Sequence, residues 1–463
     1  MRYLWLALFA LLILALAFGP QLVANRPKTD ETLNIISPHW DGIRNEFGRA
    51  FEQKYFEQSG KHIHVVWLDI GGTGEIRKWL DQRMAQVKGT GKSVGADILF
   101  GGGMDMLPGM AAKDYFQPYT PAKEILDAIP ESVNGQELRD KQNRYHAACL
   151  GMFGFVYNKQ VIVEANLPKP QTWDDMGQSA LQGWITCGDP GQSGSLHQAF
   201  EIVLQAEGWE KGYAALTRLA SNARAFNEGG ASIPRDVSLG QAAAGPCIDF
   251  YASAPVRRQG ATHLQLVIPA GATIATPDCI AILKSPANAP AAEAFMKFVL
   301  SEDGQRLWYQ PRATEGGPQE YDLERLPVMP STYEKGYPTN TVSNPFKDKA
   351  SFKYDGKKAG ARWNFLNDLW KSLWMDTHEE LWSARKAVVA AGRDADLGMA
   401  LAQPPFSEDA SFKLAAKTKS MTPDERNALK NKWVAWGRNW YAQIEHAAET
   451  NGPVPVITVA PSE

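Results

Sequence analysis

Ser37, His39, Gly72, Thr73, Gly102, Asp189, Ser193, Gly194 and Ser195 fall in four short turns, each placed where an apolar run gives way to a helical pattern. The turns are Ser37-Pro38-His39, Gly71-Gly72-Thr73-Gly74, Gly101-Gly102-Gly103 and Asp189-Pro190-Gly191-Gln192-Ser193-Gly194-Ser195. Glycine lets a solute approach bare main chain, and the first turn of a helix offers unpaired N–H groups to oxygen-rich ligands. The hydroxyls of Ser37, Thr73, Ser193 and Ser195 add contacts. This chemistry is capture without reaction, of a small oxygen-rich and anionic solute, with Asp249 or Tyr251 setting selectivity. His39, Asp41, Glu228 and Asp236 are further polar groups near the expected cleft.

Competing chemistries have weaker patterns. Ser193 or Ser195 with His197 and Asp189 has the residue types of a nucleophile, base and orienting acid, so a hydrolase is one alternative. Residues this close on one helix start seldom converge, and no G-x-S-x-G elbow surrounds either serine. His62 and His64, two apart on a strand, share a face and form a metal pair without a third ligand, so no metal and no cofactor are expected. Cys149, Cys187, Cys247 and Cys279 never form C-x-x-C, which argues against zinc or thioredoxin chemistry and leaves thiols or disulfides open.

The elements that position these turns follow from hydrophobic period. Residues 33–38 read as a strand, followed by Ile43, Phe47, Phe51 and Tyr55 at helical spacing. Residues 64–68 and 96–100 are further strands, each ending in glycines, as in a doubly wound sheet whose ligands lie beyond the strand ends. A long apolar run, 147–159, reads as a crossing between lobes. Strands at 184–187 and 247–251 and a helix over 195–207 then build a second α/β lobe, with Thr172–Met176 as a capped helix start. A return crossing fits between 264–267 and 279–283, and the helix at 291–300 rejoins the first lobe. Residues 327–361 read as an extended wrap. Helices resume with Leu366, Leu369, Trp370, Leu373 and Trp374 on one face, then a capping box at Thr422–Glu425 and a last helix carrying Trp433, Trp436 and Trp440. Those tryptophans are expected to pack against the lobes.

The chain has 463 residues, 44% hydrophobic and 21% charged, which suits two α/β lobes plus an appendage and excludes disorder and many-span membrane classes. A net charge of −3 gives no electrostatic reason to expect nucleic acid. Arg2 followed by apolar residues 4–18 is an export signal. Through Ala24 there are about 20 mostly apolar positions, enough to span a bilayer, so two readings stand: a cleaved signal peptide, or a retained N-terminal anchor over residues 3–24.

The order of motifs resembles the extracellular solute-binding proteins of ABC importers, the group of ferric-ion, thiamine and phosphorylated-solute receptors. The likeness covers roughly residues 31–310 and rests on Leu150–Lys159, Pro170–Asp175, Asp189-Pro190 with Ser193-Gly194-Ser195, and Ala294–Gln305. It implies a two-lobed periplasmic-binding-protein type II α/β fold with crossing hinge strands, closure over a solute, and delivery to a permease driven by a separate ATPase, outside the cytoplasm. The expected division is 1–25 leader, 31–145 and 280–326 lobe 1, 150–275 lobe 2, and 327–463 a helical extension beyond the usual fold. The ferric receptors' adjacent tyrosines have no counterpart, because no Tyr-Tyr pair occurs. A membrane-anchored adhesion or scaffold protein, using the Trp-rich C-terminal part as its contact surface, is the other alternative.

Overall fold

The computed structural model describes residues 30–103, 106–227, 229–252, 263–339, 344–347 and 352–462. The expected leader and Glu228 lie outside the described residues. Among them, no helix is long and apolar enough to cross a membrane.

The strands are β1 (Glu31–Ile36), β2 (Ile63–Leu68), β3 (Ile98–Gly103), β4 (Phe116–Gln117), the small hairpin β5 (Ser132–Val133) and β6 (Gln136–Glu137), β7 (His146–Gly151), β8 (Phe153–Asn158), β9 (Ile185–Gly188), β10 (Ala223–Asn227), β11 (Ala244–Ile248), β12 (Leu264–Val267) and β13 (Thr276–Leu283). One sheet has the order β2-β1-β3-β13-β4, with β7 also on β13; a second has the order β10-β9-β11-β8-β12. β1 lies parallel to β2 and β3, while β13 runs antiparallel to β3 and β7. Ile98, Leu99, Phe100 and Ile280–Leu283 are fully buried, which explains why these strands read as unbroken apolar runs: helices cover both faces.

The chain changes sheet twice. Met152 alone separates β7 from β8, and residues 268–275 carry the return from β12 to β13. The two crossings are adjacent, for Gly151 pairs with Thr276 and the Phe153 amide donates to Thr273 Oγ1 at 3.2 Å. The first sheet therefore runs to Gly151 and resumes at Thr276, past the expected limits of 145 and 280, because each crossing strand keeps its ladder up to the crossing.

Helix Ala289–Leu300 packs back on the first sheet. Beyond helix Glu302–Tyr309 the chain wraps the same lobe: the buried Glu46 carboxylate accepts the backbone N–H groups of Gln319, Glu320 and Tyr321 at 2.8, 2.5 and 2.9 Å. Helices Gly356–Trp370 and His378–Ala390 follow and lie against the second lobe, while Glu408–Thr418 and Pro423–Glu449 pack on those two. The Arg362 guanidinium meets Glu201 at 2.7 and 3.0 Å, both side chains fully buried, and Trp209 Nε1 donates to the Phe406 carbonyl at 2.7 Å. Thr422 and Glu425 form the expected reciprocal cap.

Some local expectations change. Thr172–Met176 supplies one short 3-10 turn, Asp174–Gly177, and the strand expected over 247–251 stops at Ile248, so Asp249 and Tyr251 stand in a helical turn. The tryptophans divide their work: Trp370 and Trp374 pack on Phe200 of the second lobe, whereas Trp433 packs on Phe365 and Phe406 within the extension itself. All four cysteines are buried, and none is joined in a disulfide.

Candidate functional site

The glycine turns of the two lobes meet. A side chain at Gly72 would collide with the Gln192 carbonyl, one at Gly74 with the Gly191 carbonyl, and one at Gly194 with Thr73 Oγ1. Across the same seam the Gln192 side-chain amide faces the Glu75 carboxylate. Such backbone-to-backbone contact is what glycine permits and any Cβ forbids. Behind the seam lies a cavity of about 340 Å³, lined from the first lobe by His39, Gly72, Thr73 and Gly102, and from the second by Ser193, Gly194, Ser195 and Tyr251.

Three expected residues lie off this lining. Ser37 is buried and its Oγ accepts the His39 amide at 3.1 Å, shaping the turn. Asp189 does the same in its own turn, where Oδ1 accepts the Gly191 amide at 2.6 Å. Asp249 stands behind the wall, accepting the amides of Met152 at 3.0 Å and Phe250 at 2.8 Å. Burial pushes its carboxyl up to about 6, with the Arg325 charge opposing the rise.

The donor supply at the seam has a simple origin. Ser193 caps helix Gly194–Ala206, its Oγ accepting from the Leu196 amide at 3.4 Å, and the first ladder bond is His197 N–H to the Ser193 carbonyl at 3.1 Å. The amides of Gly194 and Ser195 precede that bond and lie outside the ladder. Helix Thr73–Val87 starts opposite, with Thr73 Oγ1 buried and lacking a partner. Two helix N-termini, one from each lobe, thus bring their positive ends to one cavity.

The floor is charged, and sequence reasoning missed it. Asp278 on β13 accepts the Gly102 amide at 2.6 Å, faces His39 Nε2 at 3.0 Å and pairs with Arg325 at 2.7 Å. Gly102 holds φ +135°, a conformation that turns its amide to this carboxylate and that few other residues adopt. Burial raises the Asp278 carboxyl, but the Arg325 charge and the hydrogen bonds from His39 and the Gly102 amide outweigh it and hold the group well below the usual carboxylate range. Burial depresses His39, so the imidazole is neutral at pH 7, and its Nδ1 has no partner. Arg325 is 1% exposed, lies 4.2 Å from the Phe250 ring centroid, and keeps Nη1 without a partner. Gln198, Arg44, Thr276 and Phe250 also line the cavity, with the exposed Asp69 3.7 Å from Arg44. Signals did exist: Asp278 interrupts an apolar run, and Arg325 sits between Leu323 and Leu326. Their meeting is tertiary, joining positions 39, 278 and 325.

Other candidates are placed elsewhere. His197 Nδ1 pairs with Asn367 Oδ1 at 2.7 Å, its ring stacks on Trp363, and Asp189 is engaged in its turn, so Ser195, His197 and Asp189 form no relay. His64 faces Glu52 at 3.2 Å and His62 stacks on Phe56, on the surface of the first lobe. Among the described residues no group of three His, Cys, Asp or Glu side chains is set to hold a metal ion. Asp41 is exposed, 3.8 Å from Arg44, and Asp236 accepts from Asn227 at 2.8 Å behind the second sheet's edge.

Comparison with known proteins agrees with this geometry. Residues 95–313 match the family described as bacterial extracellular solute-binding protein. The chain is 28% identical over 183 residues to the phosphoglycerate transport regulatory protein PgtC of Salmonella typhimurium, covering 40% of this chain and 45% of that protein. It thus spans less than half the length of that relative. Among solved structures, the periplasmic binding protein AfuA of Actinobacillus pleuropneumoniae, with exogenous fructose-6-phosphate bound, superposes with a TM-score of 0.61 at 21% identity, over 74% of this chain and 98% of that one. The apo ferric-ion-binding protein A of Pasteurella haemolytica gives 0.54 at 14% identity, over 73% and 96%. The fold is that of the two-lobed periplasmic binding proteins, with a helical C-terminal region added. Both families of neighbours are binding proteins.

Proposed function

We propose that this protein is an extracytoplasmic receptor that closes its lobes on a small organic anion, a phosphorylated solute, and delivers it to a membrane permease powered by a separate ATPase. One observation carries the reading: donors without acceptors converge on one cavity from both lobes. These are the amides of Gly194 and Ser195, Thr73 Oγ1 and Arg325 Nη1. Asp278 is the carboxylate in the floor, half-buried, and its oxygens are already committed to Gly102, His39 and Arg325. A ligand entering here therefore meets donors. It must supply acceptor oxygens, and phosphate supplies the most per volume.

The names of the relatives fit that class, since one concerns phosphoglycerate transport and another holds fructose-6-phosphate. Closure follows from the seam: a solute bonded to both helix starts favours the state in which Gly72–Gly74 and Gly191–Gly194 touch. Export, and a tether if residues 3–24 are retained, would place the receptor beside its permease.

The test is a melting-temperature screen with inorganic phosphate, 3-phosphoglycerate, fructose 6-phosphate and neutral fructose. Ligand at 100 times its Kd adds about 2.7 kcal/mol of stability. Stabilisation by the phosphorylated compounds and not by fructose is expected. Equal stabilisation by fructose, or none by any anion, overturns the reading.

A further inference from the structure

The cavity has one wall that comes from outside the solute-binding domain. Trp363, on helix Gly356–Trp370 of the C-terminal extension, lines the cavity beside Ser193–Ser195 and Gln198. The matched family region ends at residue 313, fifty positions earlier.

Trp363 is held rigidly. Its ring stacks on His197 at 3.6 Å between centroids with 28° between planes, and the next turn of the same helix fixes that imidazole through Asn367 at 2.7 Å. Burial depresses His197 to about 3, the Asn367 bond opposing and the Arg77 and Arg362 charges adding to the fall, so the stacked ring is neutral. Arg362, adjacent in sequence, anchors the helix to Glu201 in a fully buried pair. Trp370 packs on Phe200 two turns further on. The extension helix thus runs along helix Gly194–Ala206 as a fixed rail. The helix whose N-terminus offers Gly194 and Ser195 also carries His197, the platform for Trp363.

We infer that Trp363 is the specificity wall for the carbon body of the solute, so that the C-terminal extension selects an organic phosphate over the inorganic ion. The inference rests on the phosphorylated-anion reading and adds a second half to the ligand. The charged floor and helix starts take the phosphoryl group, and an indole face beside them gives a hydrocarbon or sugar C–H surface something to pack on. Inorganic phosphate has no such surface. A wall held on a buried ion pair loses little order when a solute arrives, which favours discrimination by shape.

Calorimetry on the full chain tests it with inorganic phosphate and fructose 6-phosphate as probes, using Trp363→Ala, Trp363→Phe and Arg325→Lys. Trp363→Ala is expected to weaken fructose 6-phosphate at least 10-fold and inorganic phosphate less than 2-fold. Trp363→Phe should keep fructose 6-phosphate within about 3-fold, which separates a lost surface from a collapsed helix. Arg325→Lys should weaken both probes. If Trp363→Ala weakens both equally or neither, the wall is refuted while the anion reading survives. If the wild-type protein binds neither probe, the anion reading fails and takes the wall with it.

Discussion

The rim and the floor of the cavity are built in opposite ways. The rim is main chain and hydroxyl: Gly72, Thr73, Gly194 and Ser195, contributed by contiguous turns at two helix starts. The floor is side chain and charge: His39, Asp278 and Arg325, joined only by the fold. A rim of amides orients an anion with little cost in side-chain entropy, while a floor of paired charges fixes field and shape. The rim should therefore govern closure, and the floor should govern both affinity and integrity.

The largest expected effect is at the floor. Arg325→Met removes the cation that Asp278 faces at 2.7 Å and the group whose Nη1 is free. Breaking a buried pair costs about 3–5 kcal/mol, an upper figure here because Asp278 is 18% exposed. Urea denaturation should show that loss, and affinity for organic phosphate should drop on the order of 100-fold. Unchanged affinity would mean the floor is structural only.

The seam comes next. Gly74→Ala or Gly194→Ala places a methyl group against the opposite lobe, so the open form should dominate and binding should weaken about 10- to 100-fold. Both glycines lie at element starts away from the sheets, so the melting temperature without ligand should barely move. Small-angle scattering gives the decisive reading. Compaction on adding ligand, seen for the wild type, should disappear; a variant that still compacts contradicts the role of the seam.

Single hydroxyls at the rim should matter least for affinity. Ser193→Ala and Ser195→Ala each remove one neutral donor worth about 1 kcal/mol, or roughly 3- to 10-fold. Ser193 should be the worse of the two, because its Oγ also caps the helix through the Leu196 amide. Titration calorimetry would show the order; a larger loss at Ser195 would put the anion further into the second lobe.

The same contrast explains what the sequence disclosed. Gly71–Gly74 and Asp189–Ser195 announce themselves because a turn and the helix after it are neighbours in the chain, and period alone then places them at strand ends. The crossing at Met152 was legible as one long apolar run, although the change of sheet after a single residue was not. Asp249 misled for a related reason: the apolar residues before it continue β11 in pattern, while its carboxylate caps the turn that ends the strand. Arg325 gave only the weak signal of a charge among leucines in an irregular wrap, and Trp363 looks like any core tryptophan on a helix. Only tertiary packing sets Trp363 on His197, far earlier in the chain, and Arg325 in one floor with His39 and Asp278.

Asp249 also offers the subtlest test, because it lies beneath the floor and titrates where the floor does not. Burial lifts its folded-state carboxyl to about 6, above its ordinary value near 4, so the folded protein binds this proton more readily than the unfolded chain. Its contribution to stability is greatest below pH 4 and is lost as pH rises through 6. His39 and His197 act in the reverse sense: both are depressed by burial, so the stability they carry is present above pH 6.5 and is lost as pH falls. Asp278, held low, is silent in this range. Wild-type stability should consequently fall from pH 7.5 to 5 with a shallow slope, the carboxyl offsetting part of the histidine loss. Asp249→Asn removes the offset and should steepen the slope, so the gap between wild type and variant moves in favour of the wild type as pH drops. Urea midpoints at half-unit intervals would measure it, and parallel curves would show that Asp249 ionises as freely in the fold as in water.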